Sequence, residues 1–436
     1  MIKIKTTLLL IAIFQLAMVK GQSSYFPPLT GNNWDTLSPR SLSWCNDKID
    51  SLYQYLSSQN TKSFILLKDG KIVLEKYFGT HTQNDAWYWA SAGKTLTATM
   101  VGIAQQENFL NINETSSKYL GEGWTSCTPQ QEAKITIKNQ LSMTTGLDDG
   151  VADHFCTLDT CLKYKANSGT RWAYHNGPYT LLDKVIENAT GTNLNNYTTQ
   201  KLKSKIGMTG SFVKVDYNNV YFSTARSMAR FGLLMLNKGK WNGNAVLTDT
   251  NYFNEMTNTS QSLNRSYGYL WWLNGKQSFM VPQSQVVINS MFSPNAPKDN
   301  ISALGKNGQF INVSQSNKMV WIRMGDAPNQ GDVPFLLNDK IWLYINQLNC
   351  NNTSVNKNTI NKTKIYPNPS KGFINIESNN DIQRLFLYNS LGQEITQIEV
   401  NGLSAVLNYK EVNEALLVLK ISYKNGDSSV HKIINE

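Results

Sequence analysis

The sequence predicts an α+β protein: an antiparallel sheet flanked by helices with an inserted helical region, followed by a small C-terminal all-β sandwich module. Three observations predict it. Strand-like runs lie near both ends of the first 350 residues and helical periodicity lies between them. A polar Asn/Thr/Lys stretch follows Cys350, and short alternating runs resume beyond it. With 436 residues, 41% of them hydrophobic, the chain can bury two cores, and 17% charged residues argue against extensive disorder.

The elements follow in order. Lys3 and Lys5 precede an apolar run at 8–18 and a cleavage-like Val19-Lys20-Gly21, so residues 1–21 read as a signal peptide. The run is shorter than the ~20 residues a membrane span needs. An amphipathic helix is expected at 44–56. Two β-rich runs within 64–78 flank Asp69-Gly70, a dipeptide suited to the positive φ angles of a hairpin turn. Leu96, Met100, Ile103 and Ala104 recur at helical spacing after Ser91, and 223–236 is a second amphipathic helix. Strands are expected at 267–272, 301–304, 310–313 and 319–324, and a last helix at 339–348. The domain boundaries implied are 22–350 for the larger unit, 351–363 for a linker and 364–436 for the β module.

The net charge of +10 invites a nucleic-acid reading. Lys and Arg are scattered, however, and no basic cluster is interleaved with aromatics, so no nucleic-acid partner is expected. Export permits disulfides. Cys156 and Cys161 enclose a four-residue loop and can close it, whereas Cys45 and Cys350 bracket the larger unit and can staple its ends; Cys127 is then left free. Neither the cysteine spacings nor the four scattered histidines give a metal pattern, and no cofactor is implied.

Three separated segments carry chemistry. In Ser91-Ala92-Gly93-Lys94, residues three apart at a helix start share a face, so the lysine amine can reach the hydroxyl. A serine needs its proton removed to attack, and a lysine does that when burial keeps it neutral. Alone, this is also what a capping serine and a surface lysine look like. Gly93-Lys94-Thr95 resembles the end of a phosphate-binding loop, but Tyr88 stands where that loop needs glycine. Tyr174-His175-Asn176 offers a phenol and an amide. Gly305-Lys306-Asn307-Gly308-Gln309 offers a cation beside a glycine and so a close backbone, and taken singly is an ordinary turn.

Together the three resemble the serine β-lactamase and penicillin-binding-protein superfamily, which carries S-x-x-K, then Y-x-N or S-D-N, then K-T-G in that order. The similarity is greatest to its class C-related branch and covers about 40–350. The resemblance implies Ser91 as nucleophile, Lys94 as its proton acceptor and Tyr174 as a second acid/base. Lys306 would sit beside Tyr174 and favour its phenolate. Asn176 would position Lys94 and substrate, and the backbone N–H groups of Ser91 and Gln309 would line the oxyanion hole. Asn307 and Gln309 depart from the K-T-G pattern at positions that help bind a β-lactam carboxylate. The expected substrate is therefore a small ester or amide; a true β-lactamase, a D,D-peptidase or an inactive sensor retaining the fold are the alternatives.

Lys364-Ile365-Tyr366-Pro367-Asn368-Pro369 and the segment Leu387 to Glu394 resemble the sorting domain of type IX secretion in Bacteroidetes. That resemblance implies the secretion machinery as a partner and a secreted or cell-surface location reached through the periplasm. No stable membrane span is expected.

Overall fold

Asp69 and Gly70 both take positive φ angles, 51° and 84°, and their tight turn joins the antiparallel strands Thr61–Lys68 and Lys71–Tyr77. The hairpin opens the main sheet of this computed structural model, which describes residues 24–326, 333–350, 363–389, 393–426 and 428–436. The expected signal peptide and nearly all of the expected linker lie outside those residues. Contacts divide the chain into two units after Cys350.

In the first unit, six strands form one antiparallel sheet. The order is Lys71–Tyr77, Thr61–Lys68, Met319–Gly325, Gln309–Ser314, Ile301–Gly305 and Trp272–Leu273. Leu66 lies opposite Trp321 and Phe310 opposite Arg323, so the two ends of the unit meet at its centre. Every residue of Gln309–Ser314 and Met319–Gly325 is buried, which requires cover on both faces. Helix Ala225–Leu236 packs on these strands, and Thr224 caps its first turn by accepting from the Ser227 N–H. Helices Asn46–Ser58 and Phe335–Asn346 pack together, with Tyr55 and Tyr344 stacked at 4.7 Å. The helices expected at 44–56 and 339–348 are thus present, shifted by two to four residues.

The strand expected at 267–272 is corrected. Only Trp272–Leu273 joins the sheet; Leu270 has φ 61° and the Gly268 N–H returns to the Trp271 carbonyl at 2.9 Å. A Cβ on Gly268 would fall 2.2 Å from the Met256 carbonyl oxygen, so the chain is pinned there and must turn. The alternating aromatics reflect a buried turn: Trp271 stacks on Phe231 while Trp272 stacks on Tyr174. A three-stranded sheet of Trp87–Tyr88, Asn218–Ser223 and Ser211–Val215 places two further strands within the inserted region expected to be helical.

Disulfides join Cys45 to Cys350 and Cys156 to Cys161, and Cys127 is free. The first closes a seam already tied by the Cys45 N–H to the Leu348 carbonyl (2.9 Å) and the Cys350 N–H to the Ser43 carbonyl (2.6 Å). Among the described residues no helix is long and apolar enough to cross a membrane.

The second unit is all-β, as expected. The first half of Phe373–Asn389 pairs with Lys364–Tyr366 and with the end of Glu394–Asn408. Its second half pairs with the start of Glu394–Asn408 and with Leu416–Tyr423, which pairs in turn with Ser428–Ile434. The register breaks between Glu377 and Ile382, yet Ile374 and Ile376 before the break share one apolar cluster with Leu385 and Leu387 after it. Both halves of the long strand therefore serve a single core.

Candidate active site

The approach to Ser91 is fixed by its aromatic neighbours. Trp87–Tyr88 is hydrogen-bonded as a short strand to Phe222 and Ser223, and fully buried Trp89 donates from Nε1 to the Ser223 Oγ at 2.8 Å. Ala90 then takes φ 45°, a left-handed conformation that costs a non-glycine residue ~1–3 kcal/mol and persists only where packing enforces it. A single 3-10 turn, Ala90–Gly93, carries Ser91 half-buried, and helix Lys94–Gln106 continues from it.

The turn brings Lys94 Nζ to 3.1 Å from the Ser91 Oγ, where it donates to the hydroxyl. Lys94 is 4% exposed, and its Nζ lies 4.2 Å from the Tyr179 ring centroid and 5.3 Å from that of Tyr174. Burial drives its pKa down from 10.5 to about 7, against an opposing pull from Asp183. Near neutral pH about half of the amine is therefore available as a neutral base.

Tyr174 is also buried, and its phenol interacts with Ser91. Desolvation pushes its pKa well up and the Ser91 interaction only partly offsets this. Burial thus favours the neutral phenol. Tyr174 stacks on Trp272 at 6.2 Å and 17°, within an aromatic wall that includes Trp172 and Tyr267. Asn176 opens helix Asn176–Thr190, buried, and its Oδ1 has no hydrogen-bond partner. His175 is buried too, with neither ring nitrogen bonded, and burial lowers its pKa to about 4.

The third segment reaches the site through its opening glycine. Gly305 ends its strand so close to the serine turn that an added Cβ would lie 2.6 Å from the Trp89 carbonyl oxygen and 3.1 Å from the Ser91 nitrogen. Lys306, exposed, begins the turn that follows. Asn307 holds φ 61° and donates its amide to the Tyr88 hydroxyl at 2.7 Å. The Arg323 guanidinium, wholly buried, donates to the carbonyls of Asn307 and Gly308 at 3.0 and 2.7 Å and fixes the turn from behind. The Gln309 side chain faces away from solvent: it donates to the Gly325 carbonyl (2.5 Å) and accepts from the Gly325 N–H (3.0 Å). Among the described residues no cluster of His, Cys, Asp or Glu could hold a metal.

Tyr179 and Asp183 were missed. Their signal was present: residues 176, 179 and 183 recur at helical spacing, which sets them on one face of the Asn176 helix. Asp183 is 4% exposed, accepts from Asn219 Nδ2 at 3.0 Å and from Thr97 Oγ1 at 3.4 Å, and burial pushes its carboxyl pKa well up.

A half-buried hydroxyl against a desolvated amine and a buried phenol is the equipment of a serine acyl-transfer enzyme. Residues 62–310 match the Beta-lactamase family, and the chain belongs to it. Residues 364–436 match the secretion system C-terminal sorting domain; this type IX tail marks proteins for export to the cell surface or the extracellular space. Among solved structures, the chain is similar to a protein described as a 6-aminohexanoate-dimer hydrolase of Bacillus anthracis, with 20% identity and a TM-score of 0.54 over 74% of this chain and 87% of that one. It is similar to a protein described as a β-lactamase of Bacteroides dorei, with 16% identity and a TM-score of 0.55 over 70% and 99% of the two chains. A family VIII carboxylesterase shares 14% identity and a TM-score of 0.52 over 70% and 98%. These likenesses show the β-lactamase and penicillin-binding-protein fold. No curated protein matches the sequence.

Proposed function

We propose that the protein is an exported serine hydrolase that cleaves small esters or amides through an acyl-enzyme on Ser91. The observation that carries this reading is the 3.1 Å contact between the Ser91 hydroxyl and the buried amine of Lys94. Neutral Lys94 takes the hydroxyl proton as Ser91 attacks the substrate carbonyl, becoming an ammonium. The Ser91 N–H, with the backbone that follows Gly305 alongside it, stabilises the oxyanion. Tyr174, a neutral phenol, protonates the leaving group and recovers its proton from Lys94. In the second half-reaction the same groups run in reverse, with water as nucleophile. The unpartnered Oδ1 of Asn176 is an acceptor for the Lys94 ammonium or a substrate N–H.

Two side chains support esters or amides over β-lactams. Asn307 is bound to Tyr88 and Gln309 to Gly325, so neither amide is presented for a substrate carboxylate. The 6-aminohexanoate-dimer hydrolase and carboxylesterase descriptions of two structural relatives point the same way. A panel of acetyl and butyryl p-nitrophenyl esters, linear amides, D-amino-acid amides and nitrocefin tests the assignment. Ester or amide turnover exceeding that of nitrocefin, and lost in Ser91→Ala, is expected. Nitrocefin turnover matching that of the esters would assign the site to β-lactams instead.

A further inference from the structure

Behind Lys94 a carboxylate is buried that the reaction proposed above does not use. Tyr179 lies under the Lys94 ammonium position at 4.2 Å, and its hydroxyl is 3.4 Å from the Thr97 Oγ1. Thr97, one turn beyond Lys94 on the same helix, donates to the Asp183 Oδ1 at 3.4 Å. Because Thr97 has one proton to give, Tyr179 is the donor in the preceding bond, and the chain of hydroxyls points toward Asp183. Asn219 donates to the other carboxylate oxygen at 3.0 Å. On its far side Asp183 lines a cavity of about 390 Å³, together with Lys184, Glu187, Lys214, Tyr217 and Asn219.

We infer that Asp183 is a positioning residue for the proposed reaction, the buried counter-charge to the ammonium that Lys94 becomes on taking the Ser91 proton. The inference rests on the nucleophile reading. A carboxylate that accepts from Thr97 and Asn219 gives the ammonium formed in acylation an opposite charge within the same desolvated region, and no proton need leave Asp183 for that step. The groups that act on Asp183 are Lys94 and Thr97 on one helix, Tyr179 and Glu187 on its own, and Asn219 from the adjoining strand. Lys94 lowers its pKa and Glu187 raises it, while the Asn219 and Thr97 bonds favour the anion. Asp183 in turn raises the pKa of Lys94.

The test is the pH dependence of fluorophosphonate labelling in the wild-type protein, Asp183→Asn and Asn219→Ala, with folding checked by circular dichroism. Removing the anion lowers the Lys94 pKa, so the acid limb of Asp183→Asn should move down by about one pH unit, with a reduced plateau rate. Asn219→Ala, which leaves the carboxyl in place but weakens its ionisation, should move the limb the same way by less. A merely structural Asp183 would lower the plateau and leave the limb where it is, and that result in both variants overturns the inference. Absence of any wild-type labelling at Ser91 would overturn the nucleophile reading first, and this inference with it.

Discussion

At the residue scale, the account turns on the charge state of two side chains. Lys94 works as a base only when neutral, and burial brings its pKa from 10.5 to about 7. On that basis kcat/KM for an acetyl ester should fall about tenfold per pH unit below about 7 and level off above it; stopped-flow or plate-reader profiles between pH 5 and 9 check this. Lys94→Arg, which keeps the charge permanently, should lose about 10²–10⁴ in kcat. Tyr174→Phe should lose a comparable factor while KM changes little, because the phenol acts on the leaving group. Ser91, Lys94 and Tyr174 were legible because each belongs to a segment with its own residue pattern. Gly305 was legible as the start of the third segment, whereas Asp183 was missed although it shares a helix face with Asn176 and Tyr179. The helical spacing places the aspartate on that face but does not show that it lies behind a lysine of another helix.

Elements position these residues, and here the sequence was a partial guide. The hairpin at Asp69-Gly70 was legible because two left-handed residues in sequence permit few other structures. The run from Tyr267 to Trp272 was misread because a turn buried among aromatics shows the same apolar alternation as a strand. The hairpin of Ser211–Val215 and Asn218–Ser223 escaped notice because most of its residues are partly or fully exposed and its apolar runs are short, broken by Lys214, Asp216, Asn218 and Asn219. Arg323 shows what holds the substrate side of the site. Its guanidinium donates to the carbonyls of Gln59, Asn307, Gly308 and Asp326 and, through Nε, to the Thr61 hydroxyl. Arg323→Met should leave several buried carbonyls unpaired and cost roughly 3 kcal/mol or more, since each such group costs ~1–3 kcal/mol. Urea denaturation measures the loss; an unchanged midpoint would deny the arginine this anchoring role.

At the scale of the whole molecule, the composition shift after Cys350 marked the change of unit because a stretch so poor in apolar residues cannot supply a core. The Cys45–Cys350 disulfide spans 305 residues, and a cross-link closing so long a loop constrains the unfolded chain by ~5 kcal/mol in the entropic description. Replacing both cysteines with serine should lower Tm while leaving the ester kcat/KM at 25 °C near the wild-type value. Deleting 364–436 should retain an active hydrolase in the periplasm, read by cell fractionation, because the β module has its own core. The most direct measurement of the central claim is intact mass of the full chain after a fluorophosphonate or a slowly hydrolysed ester, followed by peptide mapping. One adduct on the Ser91 peptide, absent from Ser91→Ala, is the result the account predicts. An adduct elsewhere, or one undiminished in Ser91→Ala, would contradict it.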